Sequence, residues 1–192
     1  KNPHVLFYYD ETELRGPHNI ENIIAASTMA NLFGVDDNKI SQTIKAFKAL
    51  EHRMEPVESP LPIHFINDSK ATNIASTMAA INSFENITLI LGGQDKGKTN
   101  FSKLLESIKD RVNHIICYGD AGGSIHMHIS SHGNSQVIYD FSDAIIKAVE
   151  VSESGATILL SPACASFDQF SNYEERGIKF KQLVQSLGGL YE

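Results

Sequence analysis

Three short polar runs carry the side chains best suited to hold a charged small molecule. They are Asn67-Asp68-Ser69-Lys70-Ala71-Thr72-Asn73, Gly92-Gly93-Gln94-Asp95-Lys96-Gly97-Lys98 and Ser161-Pro162-Ala163-Cys164-Ala165-Ser166-Phe167-Asp168. Each sets hydroxyls, amides or a lysine beside a single acid, a mixture that suits an anion, because a carboxylate or phosphate needs cations and several directed donors. Lys70 and Lys96 each follow an apolar strand-like run within a turn, whereas most other lysines fall on expected helix surfaces. A solvated loop lysine is the competing reading for both. Thr72 or Asn73 suits the cap of a following helix, and Ser166 suits the cap of the turn holding Phe167 and Asp168. Capping and anion binding are compatible, since the amides and hydroxyls at a helix start can hold a carboxylate.

A fourth candidate is His52-Arg53-Met54-Glu55-Pro56, followed by Pro60 and Pro62, which reads as a linker. An arginine held there could grip phosphate oxygens with its planar fork, or form an ion pair between domains. Other chemistries have less support. The glycine run fits neither GxGxxG nor GxxxxGK[ST], no phosphate loop occurs in the 192 residues, and there is no GxSxG nucleophile elbow. His126, His128 and His132 have no cysteine or carboxylate completing a zinc-ligand pattern and read as packing or surface residues. Cys117 and Cys164 are too few for a disulfide scaffold and read as buried thiols.

The elements that must position these runs alternate regularly. A first strand is expected over 5–9, then amphipathic helices over 19–33, with Ile20, Ile23, Ile24 and Met29 on its apolar face, and over 37–50. Beyond the linker, strands are expected at 63–67, 87–91, 112–118, 136–139 and 157–160. Helices are expected at 73–84, 101–109, 123–131, 142–152 and 174–187. Apolar strands separated by amphipathic helices predict an α/β fold, a Rossmann-like, mostly parallel sheet with helices on both faces, over 51–192. The two helices of 1–50 look like the tail of another domain. In such a sheet ligands gather beyond the carboxyl ends of the strands, where all three polar runs fall.

Apolar residues make up 42% of the chain, enough for a packed core, and 23 acidic residues against 16 basic ones give a formal charge of -7. That balance offers no general attraction to nucleic acid or an anionic membrane. No apolar run reaches membrane-span length and no signal-peptide pattern opens the chain, so a cytoplasmic protein, monomeric by default, is expected.

Five strings occur in one order: Gly16-Pro17-His18-Asn19-Ile20-Glu21-Asn22, His52-Arg53-Met54-Glu55, Asn67 to Asn73, Gly92-Gly93-Gln94-Asp95-Lys96, and Ser161 to Phe170 with Arg176-Gly177. Over essentially the whole chain they resemble the Mur ligases of peptidoglycan synthesis, in particular those that add D-glutamate. The resemblance implies an ATP-dependent, amide-bond-forming ligase. ATP would phosphorylate the carboxylate of UDP-N-acetylmuramoyl-L-alanine, the D-glutamate amine would attack the acyl phosphate, and Mg2+ would neutralise phosphate charge. Residues 1–50 would end the central ATPase domain, and 51–192 would be the carboxy-terminal amino-acid-binding domain.

By the same resemblance Asn19, Asn22, Arg53 and Asp68 would serve the nucleotide, with Asn22 at the adenine, Asp68 near the ribose and His18 ordering the helix start. Lys70, Thr72, Lys96, Ser166, Phe167 and Tyr173 would serve D-glutamate, with Arg53 and Lys70 also able to support phosphate or the transition state. Rate enhancement would come from orientation and charge stabilisation rather than from a nucleophilic side chain. The family's phosphate loop, magnesium-binding acid and modified lysine would lie upstream of Lys1, so no metal ligand is expected in this chain, and by itself it is expected to make no ADP. A Mur-type ligase for another amino acid, or a noncatalytic α/β binding module, is the alternative.

Overall fold

Residues 5–12, 14, 17–48, 50–97 and 99–190 are described by a computed structural model, in two units, Lys1–Leu50 and Glu51–Glu192. The opening Lys1 to His4, Gly16 and Lys98 lie outside the described residues, as do the side chains of Pro17 and His18.

In the first unit, α1 (Pro17–Leu32) and α2 (Asp37–Ala46) pack together, burying Ile23 and Ile40. Asp36 caps α2 by accepting from the amides of Asn38 and Lys39. The expected strand over 5–9 is absent. Residues 5–8 have no ladder partner among the described residues, Ser41 Oγ donates to the Leu6 carbonyl, and the chain tightens into a 3-10 turn at Tyr9–Glu11. An isolated apolar run reads as a strand whether or not a neighbour exists to pair with it. Helix α2 stops four residues short of the expected 50, because Phe47 turns to an extended backbone. Ile20, Ile24 and Met29, expected on the packed face of α1, are exposed.

The second unit is built on a six-stranded sheet: β1 (Glu55–Val57), β2 (His64–Asn67), β3 (Ile87–Gly92), β4 (Val112–Tyr118), β5 (Ser135–Ile138) and β6 (Thr157–Ala163), in the order β1-β2-β6-β3-β4-β5. All neighbours are parallel except β1, which pairs antiparallel with β2. That edge strand lies inside the expected linker, where Pro56 is tolerated because an edge has a side without ladder bonds. Between the strands run α3 (Ile74–Ile81), α4 (Leu105–Ile108), α5 (Gly122–Ile129) and α6 (Phe141–Val151), and α7 (Tyr173–Ser186) follows β6. The expected 101–109 helix opens as a 3-10 turn at Phe101–Leu104 before α4.

Strand periodicity sorts the core into two layers. Ile87, Leu89, Leu91, Ile115, Cys117 and Leu159 pack against α3, α4 and α5, while Ile90, Ile116, Ile158 and Leu160 pack against α6 and α7. Each such fully buried Leu or Ile contributes roughly 1.5–3 kcal/mol of hydrophobic stabilisation, so the sheet is the rigid element of the unit. Among the described residues, no helix is long and apolar enough to cross a membrane.

Candidate functional site

Strand β6 is last in sequence yet sits between β2 and β3, so the loops after β2, β6 and β3 emerge side by side at one sheet edge. These loops are the three polar runs. The chain bends at Ala163, the last residue of β6, whose φ is 59°, and beyond it Ala165 forms a bridge with Gln94, each amide donating to the other's carbonyl. The bridge seats the Gly93 to Lys96 turn against Ala165 and Ser166. Gly93 has φ 118°, and a Cβ there would overlap the Ala165 carbonyl oxygen, so only glycine lets the two loops meet.

The β2 loop is held from below. Asn67 is fully buried; its amide donates to Glu55 Oε2 at 3.0 Å and to the Gly177 carbonyl at 3.3 Å, and its oxygen accepts from the Ser69 amide. Asp68 is also buried, its Oδ2 accepting from Ser161 Oγ at 2.8 Å and its Oδ1 from the Met54 amide at 3.2 Å. Burial pushes its pKa up to about 7, against the opposing pull of those two hydrogen bonds and of the Arg53 charge. Both carboxylate oxygens are therefore engaged within the protein. Arg53 is exposed between His52 and Met54, two residues held at positive φ.

Lys70 is half-buried, with Nζ 5.8 Å from the centre of the Tyr173 ring. Thr72 is half-buried beside it, its amide bonded to the Lys70 carbonyl, while Asn73 is the cap of α3, accepting from the Ser76 amide at 2.9 Å. Lys96 and Phe167 are exposed. Asp95 shapes the turn before Lys96 by accepting from the amides of Gly97 and Thr99 and from Thr99 Oγ1.

Ser166 is the exception in this bonded framework. Its side chain is 2% exposed, yet Oγ has no hydrogen-bond partner. The capping role open to it in sequence is filled by its backbone carbonyl, which accepts from the amides of Gln169 and Phe170. Two residues on, Asp168 Oδ1 is likewise buried without a partner, while Oδ2 accepts from the Asp120 amide, and burial raises this carboxyl above its usual range. Unpaired buried polar atoms cost about 1–3 kcal/mol each, and two of them on one turn mark a surface shaped to meet something polar.

Sequence reading quoted Arg176 among the strings that carry the resemblance but gave it no role. It belongs to the amphipathic pattern of α7, where an arginine ordinarily faces water, but here its side chain is fully buried. Nε donates to Ser69 Oγ, Nη2 to the Ser69 carbonyl at 2.7 Å, and Nη1 to Tyr118 Oη at 3.0 Å, with longer bonds to the carbonyls of Cys164 and Ala165.

Of the nucleotide candidates, Asp68 belongs to the β2 loop and Arg53 to the turn before β1, whereas Asn19 and Asn22 lie in the first unit. Asn19 and Asn22 are one turn apart on α1, with Asn22 Nδ2 3.5 Å from Asn19 Oδ1. The histidines do not converge: His126 meets Ser135 Oγ, His128 the Ser124 carbonyl and His132 the Val112 carbonyl. Among the described residues, no three His, Cys, Asp or Glu side chains group as a metal site. Cys117 and Cys164 are buried free thiols that burial pushes up to about 12, so neither is a ready nucleophile.

Residues 52–164 match the family described as Mur ligase, glutamate ligase domain. The chain is 42% identical over 180 residues to the UDP-N-acetylmuramoylalanine--D-glutamate ligase of Francisella philomiragia, covering 92% of this chain and 43% of that one. It is 39% identical over 179 residues to the enzyme of the same name from Natranaerobius thermophilus, covering 92% and 39%. It thus spans less than half the length of these relatives. Among solved structures, UDP-N-acetylmuramate-alanine ligase MurC from Thermotoga maritima superposes with a TM-score of 0.65 at 17% identity, covering 89% of this chain and 38% of that one. Folylpolyglutamate synthase from the same organism gives 0.56 at 23% identity, covering 79% and 37%. These structures share the fold. The loops that gather at the carboxyl edge of the sheet are those of a known ligase domain: this chain belongs to the Mur ligase family.

Proposed function

We propose that the second unit holds D-glutamate as the attacking amine in an ATP-driven amide-bond synthesis onto UDP-N-acetylmuramoyl-L-alanine, a step of peptidoglycan assembly. The observation that carries this reading is the buried, unpartnered Ser166 hydroxyl on a turn flanked by the Lys70 and Lys96 loops. A dicarboxylate needs two cationic contacts and directed donors, and Lys70 with Thr72, Lys96, and Ser166 with the Phe167 amide and Tyr173 supply them. The relatives named as D-glutamate ligases support the choice of amino acid.

Asn19, Asn22 and Arg53 would serve ATP, the arginine fork suiting phosphate oxygens. Residues 1–50 would accordingly end an ATP-binding domain, and the exposed Leu32 and Phe33 suit a helix pair that a larger domain covers. Asp68, with both oxygens engaged by Ser161 and Met54, would act on the nucleotide side mainly by fixing the backbone next to Arg53. Magnesium would neutralise phosphate charge in this reaction, and the described residues offer it no grouped ligands. The chain's own work is to bind and orient the amine while charges on the reacting phosphate are screened.

Phosphate release by the product of the complete reading frame that encodes this chain, with ATP and UDP-N-acetylmuramoyl-L-alanine present, tests the reading. D-Glutamate should stimulate it well above L-glutamate or a diamino acid, and Ser166→Ala should raise KM for D-glutamate by about tenfold, the loss of one hydrogen bond to a charge. Equal stimulation by all three amino acids, or an unchanged KM in the variant, would reject it.

A further inference from the structure

The geometry points to Arg176 as the positioning residue that sets the spacing of the amino-acid pocket, an inference that rests on the site proposed above. Its guanidinium is fully buried, and among the described residues no carboxylate pairs with it; every bond it makes is to a hydroxyl or a carbonyl. Burying a cation among neutral acceptors is expensive, and an apolar side chain of similar volume would fill the same space at lower cost. What a guanidinium supplies here that an apolar side chain cannot is the charge and the planar fork of donors.

The bonds identify the role of Arg176. Arg176 grips the β2 loop at Ser69 Oγ and O, the end of β4 at Tyr118, and the β6 loop at Cys164 and Ala165. Ser69 Oγ donates its hydrogen bond to the Tyr173 carbonyl at 2.8 Å and so accepts from Arg176 Nε. Two of the gripped residues adjoin pocket residues: Ser69 precedes Lys70, and Ala165 precedes Ser166 and bridges to Gln94 in the Lys96 turn; a third pocket residue, Tyr173, is reached through Ser69 and starts the helix that carries Arg176. One rigid cation thereby spaces the donors for both carboxylates without touching the ligand, and its field favours a dianion in the pocket. Lysine keeps the charge but has no planar fork with which to hold two loops at once.

The test measures kcat and KM for each substrate in the complete gene product, with Arg176→Lys and Ser69→Ala singly and together. Arg176→Lys should raise KM for D-glutamate by about tenfold or more, with KM for ATP changed less than about twofold, since a displacement of about 1 Å in a positioning group costs up to about a hundredfold. Ser69→Ala, which leaves the charge and breaks the relay to Tyr173, should raise the same KM, and the double variant should fall short of the product of the two effects. A purely structural arginine would lower kcat through loss of active protein and leave KM unmoved, which would overturn the proposal. Should Arg176→Lys not fold, an unchanged KM in Ser69→Ala overturns it alone. Absence of D-glutamate turnover in the wild type would instead reject the functional reading beneath it.

Discussion

Replacing Asp68 by asparagine removes a buried ionisable group while leaving its contacts largely intact. The amide oxygen can still accept from the Met54 amide, and the new NH2 can donate to Ser161 Oγ, whose proton then turns to Thr77 Oγ1, 3.2 Å away. In the wild type, burial raises Asp68 from 3.8 to about 7. Below about pH 4 the carboxyl is protonated folded or unfolded. Between there and about pH 7 the unfolded chain releases this proton while the folded chain keeps it, so stability falls as pH rises; above that range both states are ionised and the loss levels off. At about 1.36 kcal/mol per pH unit, this gap amounts to roughly 4 kcal/mol lost between pH 4 and pH 8, less where water reaches the site in local openings. Urea unfolding followed by circular dichroism, for both proteins at half-unit pH steps, isolates the effect, because other groups cancel in the difference. Asp68→Asn should gain on the wild type by about 2–4 kcal/mol across that range. A difference that stays flat within about 0.5 kcal/mol would refute the burial argument.

Other outcomes follow from single contacts. Ser166→Ala should leave stability unchanged or raise it by up to about 1 kcal/mol in thermal melts, since it deletes a buried atom that has no partner, while weakening D-glutamate binding in calorimetry. Gly177→Ala should destabilise by about 1–3 kcal/mol in urea, although alanine ordinarily improves a helix, because the added Cβ would overlap His52 Nδ1. Glu55→Gln should cost about 1 kcal/mol or more at pH 7, where Glu55 accepts from the His52 amide and from Lys181 Nζ at 2.9 Å, and the cost should shrink in acid. The sign follows because burial raises this carboxyl but the His52 and Lys181 bonds together hold it below the usual range, so its stabilisation is lost as pH falls.

The order and type of nearly every element from 63 onward, and the placing of the three polar runs at strand ends, were legible in the sequence. Both depend on local pattern: a strand that buries its residues in alternation writes that period into its own composition, and a loop that follows it must be polar enough to face water. What depends on distant partners was not legible. The stretch over 5–9 has strand composition, but among the described residues no strand pairs with 5–8; Glu55–Val57 has linker composition but pairs with β2, and β6 extends three residues beyond its expected end at Leu160, to Ala163.

The site divides along the same line. Sequence by itself marked the runs suited to an anion, because their lysines, hydroxyls and amides can face one and the runs are short, while the assignment of single residues to D-glutamate came from the family resemblance. Tertiary structure alone decided that the last strand enters between β2 and β3, that Ser166 is left without a partner, and that Arg176 is a buried clamp rather than a surface charge. The physical reason is separation along the chain. Ser69 and Arg176 stand 107 residues apart and bond because β6 pairs with β2, which brings α7 after β6 against the β2 loop, a placement set by the joint packing of two helical layers on one sheet rather than by any segment's own preference.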